Sequence, residues 1–450
     1  MQKTAAKHRL SPSRLIALAF LAIILLGTLL LMLPAASRDG KPCPFLNALF
    51  TAASATCVTG LTPFDTYTQW SAMGQTVLLC LIQTGGLGFM SMASLLFFLI
   101  RSRVGMMGQM VMAQSLGQED MHDIVNLQKW MLKYCVIFEA AGAAALTARF
   151  CTEFPFSQAL KLGVFHSVSA FCNAGFDILG FLSPGASVSV YGRDPVILLT
   201  LSVLIVLGGL GFIVWHEVAQ YRSFRKLSVY SRLVLVATAS LLLGGTAAIA
   251  LCEWNNPGTL GNMSFGEKLL GSFFQSVTLR TAGFAGIDQA ALTEAGKSVS
   301  MFLMLIGGSS GSTAGGLKTV TLVVIVLFLW SRLRGRANTV VYHRTVGLTS
   351  VLNALTICGM MIGLAFFGAG IIAYTSPLSL TESLFETVSA IATVGLSCNA
   401  TARLSVAGKL IIILFMYFGR VGVLTISMGF LKGDRPEPRI RYADTTLLIG

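Results

Sequence analysis

Long apolar runs recur along this chain at a regular spacing. The first, Leu15 to Leu33, holds nineteen residues without a charge, enough for a helix to cross a bilayer core of roughly 30 Å. Seven more apolar stretches follow, at about 72–100, 128–150, 195–220, 230–252, 298–330, 349–373 and 408–431. Within each successive pair lies a short segment of about a dozen residues ending in Gly. Such a segment suits a helix that enters the membrane partway and is too short for a crossing. The pattern predicts an all-α polytopic membrane protein of four pseudo-repeats, each a helix, a short pore helix with an extended turn, and a second helix. That amounts to eight transmembrane helices and four re-entrant pore loops around one pore. The predicted repeats span 1–104, 105–226, 227–340 (with a broken second helix) and 341–450 (with the C-terminal tail).

The four short segments align on one glycine. They read FTAASATCVTGL (Phe50 to Leu61), FHSVSAFCNAGF (Phe165 to Phe176), FFQSVTLRTAGF (Phe273 to Phe284) and FETVSAIATVGL (Phe385 to Leu396), with Gly-to-Gly spacings of 115, 108 and 112 residues. Each has Phe ten residues before the Gly and Phe or Leu after it. Ser-Ala occupies one shared offset in three copies (Ser54, Ser169, Ser389), where the third has Val277-Thr278. A single TGL is most simply a helix C-cap; four copies at matched offsets argue for a shared pore-lining role.

Non-helical backbone at membrane depth leaves carbonyls unpaired, which costs several kcal/mol per group unless protein, water or an ion meets them. Four such strips around one axis present inward carbonyls that replace the hydration shell of a monovalent cation. The predicted ion-binding strips are Val58-Thr59-Gly60, Asn173-Ala174-Gly175, Thr281-Ala282-Gly283 and Thr393-Val394-Gly395, each Gly permitting positive φ. The Asn173 side chain either supports its strip or lines it. Asp177, two residues beyond Gly175, suits cation attraction at the outer mouth as well as it suits a solvated loop.

Composition agrees with a membrane protein. The chain is 54% hydrophobic and 11% charged over 450 residues, against about 25% charged in soluble domains. The N-terminal apolar run exceeds the roughly 7–15 residues of a cleaved signal. Nine cysteines without a CxxC pair frame neither a disulfide scaffold nor a zinc site and read as small buried hydrophobes. The net charge of +13 has an explanation other than nucleic acid: with both termini cytoplasmic, 20 of the 32 Lys and Arg fall in inner segments, as the positive-inside rule requires of a multi-pass plasma-membrane protein. The five His occupy unrelated registers and no HExxH or GxSxG pattern occurs, so an intramembrane enzyme is disfavoured. Four parallel copies also speak against an alternating-access carrier built of two inverted halves.

The third post-loop span is interrupted by Gly307, Gly308, Ser309, Ser310, Gly311, Ser312, Thr313, Ala314, Gly315 and Gly316. Ten residues of such poor helix propensity should break it. A nucleotide-binding loop is excluded because Lys318 follows Leu317 and no GK[ST] is formed. The GGLGF runs at Gly85 and Gly208 are read as close helix packing. Arg420 lies inside the fourth post-loop span, where a charge is costly and functional by default; near the axis it sets an electrostatic barrier to cations. Arg280, at the end of the third pore helix, is read as filter support that donates to carbonyls behind the strips. Glu139 in the third crossing is a weak candidate for ion coupling, having no evident partner.

Together, the four helix–pore loop–helix copies, SVTLRTAGF (Ser276 to Phe284) and IGGSSGSTAGGLKT (Ile306 to Thr319) resemble the Trk/Ktr/HKT superfamily of potassium transporters over nearly the whole chain, most closely its KtrB-type membrane subunits. The resemblance implies potassium uptake through one pore per subunit, with K+ at the filter glycines and sodium as a possible coupling or activating ion. It makes 307–316, with Lys318 and Arg420, an intramembrane gate below the filter. It also implies a homodimer seated on a cytosolic nucleotide-binding regulatory ring, KtrA-like, with no cofactor in this chain. Basic inner segments (Arg222, Arg225, Lys226, Arg332, Arg334, Arg336) would face that ring or anionic membrane lipids. The apolar tail Thr445 to Gly450 is expected at the dimer interface.

Overall fold

The computed structural model describes residues 12–88, 124–342 and 344–422. Within them the chain is mostly helical, with irregular stretches such as 279–293 and 306–318 between helices and one antiparallel pairing of two-residue strands, Val340–Val341 with Arg344–Thr345. The closing Thr445 to Gly450 segment and the inner cations Arg101 and Arg103 lie outside the described residues.

Four long helices begin the four units: Pro12–Leu31, Ile124–Phe150, Val229–Glu253 and Leu348–Thr375. Among the described residues these are the four long and apolar enough to cross a membrane as single helices. Each packs closely on a short helix, respectively Phe45–Thr56, Phe156–Phe171, Phe265–Thr278 and Leu380–Ile391. The short helices start in two ways. Pro44 and Pro155 precede the first two. Capping boxes, Ser264 with Glu267 and Ser379 with Glu382, start the third and fourth, each box meeting two otherwise orphaned N–H groups.

The second helices, Ala72–Leu87, Pro195–Leu210, Glu294–Leu305 and Val406–Val421, are capped alike by Ser71, Asp194, Thr293 and Ser405. Each side chain accepts from an N–H of the first turn, worth about 1 kcal/mol per cap. The sequence predicts continuous spans at 72–100, 195–220 and 408–431 and a break in the third alone. Instead the helices end at Gly88, Gly211 and Gly422, with φ of 84°, 91° and 92°. After Gly211 the chain resumes as Phe212–Tyr221, bent by 96°. The reason lies in shared GGLG, GGLG and GRVG sequences. Glycines 85, 208 and 419 press against the last-turn carbonyls of Thr56, Phe171 and Ile391, where any Cβ would collide. Three residues later each helix meets a positive-φ glycine, and at Gly211 the chain turns away. The packing predicted for Gly85 and Gly208 and the break are two parts of one motif.

Two hydrophobic clusters meet around the short helices. The residue after each aligned glycine (Leu61, Phe176, Phe284, Leu396) is at most 1% exposed. Phe50, Phe165 and Phe385 are likewise buried, while Phe273 is partly exposed. The repeat in the sequence is therefore a repeat of anchors: one aromatic sits within the body of each short helix, and a second apolar side chain fixes the far end of the strip.

Candidate functional site

The short helices end four or, in the third copy, five residues before the glycine, not at it. The chain then enters the left-handed region at a non-glycine residue: Val58 (φ 57°), Asn173 (φ 59°), Thr281 (φ 67°) and Thr393 (φ 53°). Two residues on, Gly60, Gly175, Gly283 and Gly395 have φ of 98°, 68°, 79° and 96°. Positive φ at a β-branched residue is a strained conformation, worth of order 1–3 kcal/mol at each position. Its occurrence at one offset in all four loops shows that the surrounding fold imposes it.

The four strips close into a ring. A Cβ on Gly60 would fall 2.6 Å from the Ala174 carbonyl oxygen, and one on Gly175 would fall 2.7 Å from that of Ala282. On Gly283 it would strike the Val394 carbonyl, and on Gly395 that of Thr59. Each glycine thus abuts the carbonyl preceding the next glycine, in the cyclic order first, second, third, fourth, first. No side chain fits between the strips, so backbone alone surrounds the axis.

Hydroxyls behind the ring brace it. Ser54 and Ser389 accept from the N–H groups of Gly60 and Gly395 at 3.1 and 3.0 Å. Ser169 donates to the Phe176 carbonyl at 2.7 Å, and Thr278 to the Phe284 carbonyl at 2.8 Å. Thr278 stands one residue later than the other three, so the break in the Ser-Ala pattern preserves the hydroxyl's task. Backbone bonds from Thr59 to Ser54, Ala174 to Ser169 and Val394 to Ser389, each 2.8 Å, are the six-to-one bonds of a Schellman helix end. The C-cap and the strip are successive parts of one turn.

The segment 306–318 crosses beneath this ring. Its ends are joined by Gly307 N–H to Leu317 O at 2.8 Å and Thr319 N–H to Gly308 O at 3.0 Å. Ser309 and Thr313 N–H donate to the carbonyls of Gly209 and Gly208 at 2.9 and 3.2 Å, and Phe212 N–H donates back to Gly311 O at 3.0 Å. The Ser309 hydroxyl reaches Leu210 O. Thr313 Oγ1 donates to Phe171 O at 3.1 Å, and Tyr230 to Ser310 O at 2.9 Å. Under the strips, Gly315 lies against Thr393 and Gly307 against Thr281. Ser312 donates to Ser309 O at 2.6 Å. Gly316, at φ 65°, lies against Ala392.

Three cations hold the segment. Arg420 donates to the carbonyls of Thr313, Gly85 and Gly86, tying the loop to the broken end of the first unit's second helix. Lys318 Nζ donates to Ala314 O at 2.7 Å. Arg280 was expected behind the strips; its hydrogen bonds go instead to Gly307 O and Thr319 Oγ1, at 3.2 and 3.3 Å. The reason is geometric: the two joined ends of the segment, at Gly307 and Thr319, lie within hydrogen-bond reach of the Arg280 guanidinium.

Above the ring opens a cavity of about 260 Å³ lined by all four aligned glycines. Its lining carries two charges, Asp65 and Asp177. Asp65 accepts from Thr68 N–H at 2.8 Å and Gly185 N–H at 3.0 Å, clasping the second unit's outer loop. Asp177 accepts from Leu179 N–H at 3.1 Å. Burial pushes its carboxyl up to about 6, against the lowering effect of that N–H.

Glu139 has the partner that local sequence could not supply. Gln83 donates to both its carboxylate oxygens, at 2.9 and 3.1 Å, across 56 residues. The Asn173 side chain turns away from the ring toward the helix Pro195–Leu210. Tyr230, Gln83 and Asp65 went unnoticed in the sequence because nothing repeats at their positions.

A family model described as a cation transport protein, TrkH, matches residues 10–437. The chain is 39% identical to the potassium/sodium uptake protein NtpJ of Enterococcus hirae, over 100% of both chains. It is 37% identical to the Ktr system potassium uptake protein B of Bacillus subtilis, covering 98% of this chain and 97% of that one. The crystal structure of the potassium transporter TrkH from Vibrio parahaemolyticus shares its fold, with a TM-score of 0.74 over 96% of this chain and 86% of that one at 16% identity. The chain belongs to the TrkH family of cation transport proteins.

Proposed function

We propose that this protein takes up potassium through a single pore in which the four strips are the selectivity filter and residues 306–318 the gate. The observation that carries the reading is the cyclic contact of Gly60, Gly175, Gly283 and Gly395 with one another's preceding carbonyls, an arrangement whose natural occupant is a dehydrated monovalent cation. The names of the relatives, potassium/sodium uptake and Ktr potassium uptake, support potassium as the ion. In this reading Val58, Thr59, Asn173, Ala174, Thr281, Ala282, Thr393 and Val394 contribute backbone oxygens. Arg420, Lys318 and Arg280 hold the gate closed from below, with Arg420 adding an electrostatic barrier.

Eight crossings divided at about 104, 226 and 340, both termini cytoplasmic, and a homodimer on a cytosolic nucleotide-binding ring complete the proposal. The naming of relatives as B and D proteins of a Ktr system supports a multi-component assembly, and sodium coupling rests on the potassium/sodium relative alone.

The test is flux in liposomes containing the purified protein, with K+ or Na+ gradients imposed separately. K+-selective flux is expected. Folded protein that passes K+ and Na+ equally, or neither ion with regulatory ring subunits and nucleotide supplied, overturns the filter assignment.

A further inference from the structure

Three of the four left-handed strip residues make no side-chain hydrogen bond among the described residues, although Thr281 and Thr393 lie in contact with the segment below. Val58 has no polar atom, and the hydroxyls of Thr281 and Thr393 are buried with no hydrogen-bond partner among the described residues. Asn173 differs. With its amide nitrogen turned outward, the side chain donates to the carbonyls of Ala170 at 3.0 Å and Ile205 at 3.2 Å; the opposite orientation sets its oxygen against acceptors, so the network assigns this one.

Ile205 lies one turn before the broken end of its helix. That end, Gly208 to Gly211, is where the 306–318 segment docks through Ser309, Thr313 and Gly311. The amide fits there because its neighbours are glycines: its atoms lie 3.1 and 3.5 Å from where Cβ atoms would stand on Gly208 and Gly209. The same segment touches the second short helix directly, through Thr313 Oγ1 to Phe171 O. Strip and segment thus share one helix end, and Asn173 is the polar side chain joining them.

We propose that Asn173 is a positioning residue that couples the second strip to the docked state of the 306–318 segment through the helix end they share, beside the direct contacts that the third and fourth strips make with the segment. The inference rests on the filter and gate reading given above. It predicts reciprocal coupling: loosening the segment alters ion discrimination through the second strip, and loosening the strip undocks the segment.

Two variants test it. Asn173→Asp keeps size and tolerance of left-handed backbone but, when ionised, donates nothing to Ile205 or Ala170. Thr313→Val removes the hydroxyl bond from the segment side. The first readout is hydrogen exchange of the peptide covering 307–316 in the full-length protein, with Thr313→Val as positive control. Asn173→Asp is expected to speed that exchange at least about fivefold, equivalent to about 1 kcal/mol of docking free energy, while exchange at the third and fourth short helices stays unchanged. The second readout is the K+ over Na+ flux ratio of each variant and of the double variant. The single effects should fail to add, since two residues acting through one helix end are not independent. Unchanged exchange at 307–316 in Asn173→Asp overturns the proposal, as do strictly additive flux ratios in folded proteins. Faster exchange together with wild-type protein that shows no ion selectivity would retain the tie between strip and segment while rejecting the filter reading.

Discussion

Gly175→Ala is the substitution that most directly tests whether the ring is a cation cage. Gly175 sits at φ 68°, a left-handed conformation that costs Ala roughly 1–2 kcal/mol. The larger effect is steric. The new Cβ would stand 2.7 Å from the Ala282 carbonyl oxygen, 2.8 Å from Gly283 Cα and 2.9 Å from Gly283 C. Ordinary contact begins at 3.4 Å, so the third strip must retreat by about 0.7 Å, the difference between these two distances. Overpacking of this kind costs about 1–3 kcal/mol, and relief comes from moving the carbonyl out of the ring. A cage opened on one side should lose discrimination between ions of different size by about tenfold, equivalent to 1.4 kcal/mol. The assay is the K+ over Na+ flux ratio in liposomes. Gly40→Ala is the control, because Gly40 has φ 69° but nothing within 4 Å of a Cβ; it should carry the backbone penalty and leave the ratio alone. A folded Gly175→Ala protein with the wild-type ratio would refute the carbonyl cage.

Three further outcomes follow from the surroundings of the ring. With the Asp177 carboxyl at about 6, lowering external pH from 7 to 5 should take its ionised fraction from about nine-tenths to about one-tenth and reduce K+ uptake at subsaturating K+. Asp177→Asn should show lower uptake at pH 7 and a flattened response between these values; an unaltered pH profile in that variant would remove Asp177 from the explanation. Arg420→Gln releases the carbonyls of Thr313, Gly85 and Gly86, and at about 1–3 kcal/mol for buried groups left unmet it should raise basal flux about tenfold, measured without regulatory ring subunits. Flux at or below the wild-type level would show that the arginine does not hold the pore shut. Glu253, fully buried, accepts from Asn256, Thr259 and twice from Thr293; Glu253→Ala should lower the melting temperature by several degrees without changing ion selectivity, and unchanged melting would mean that this junction contributes no net stability.

The strips were legible because four copies share one anchor pattern, and a pattern that recurs at matched offsets reports a common geometry whatever each residue does alone. What escaped was whatever does not recur or recurs in altered form. GGLG at Gly85 and Gly208 has the same letters whether it packs a helix or ends one, and only the three-dimensional fit of the first glycine on a short-helix carbonyl shows that it does both. The fourth copy, GRVG, hid the relation further by carrying Arg420 where the others have glycine. Left-handed Val58, Thr281 and Thr393 run against local preference, which favours extended backbone for β-branched residues; tertiary packing overrides it, and no local signal marks where. Gln83 and Glu139 meet across two units, so neither residue's neighbours in sequence announce the other.

Crowding from several sides explains why the segment below the ring needs so many glycines. A small-residue packing face requires one every fourth position, yet 307–316 must accept contacts from several directions at once: Gly209 and Phe171 from the second unit, Arg280 and Thr281 from its own, Thr393 and Arg420 from the fourth. Side chains would obstruct these approaches, so the bonds are made largely by the segment's backbone. A segment held chiefly by backbone and cation–carbonyl bonds, with little apolar burial of its own, can be released by exchanging those bonds for water. That is the energetic profile the proposed gate requires, and it sets this segment apart from the strips above, whose ends are locked by Leu61, Phe176, Phe284 and Leu396 in the hydrophobic core.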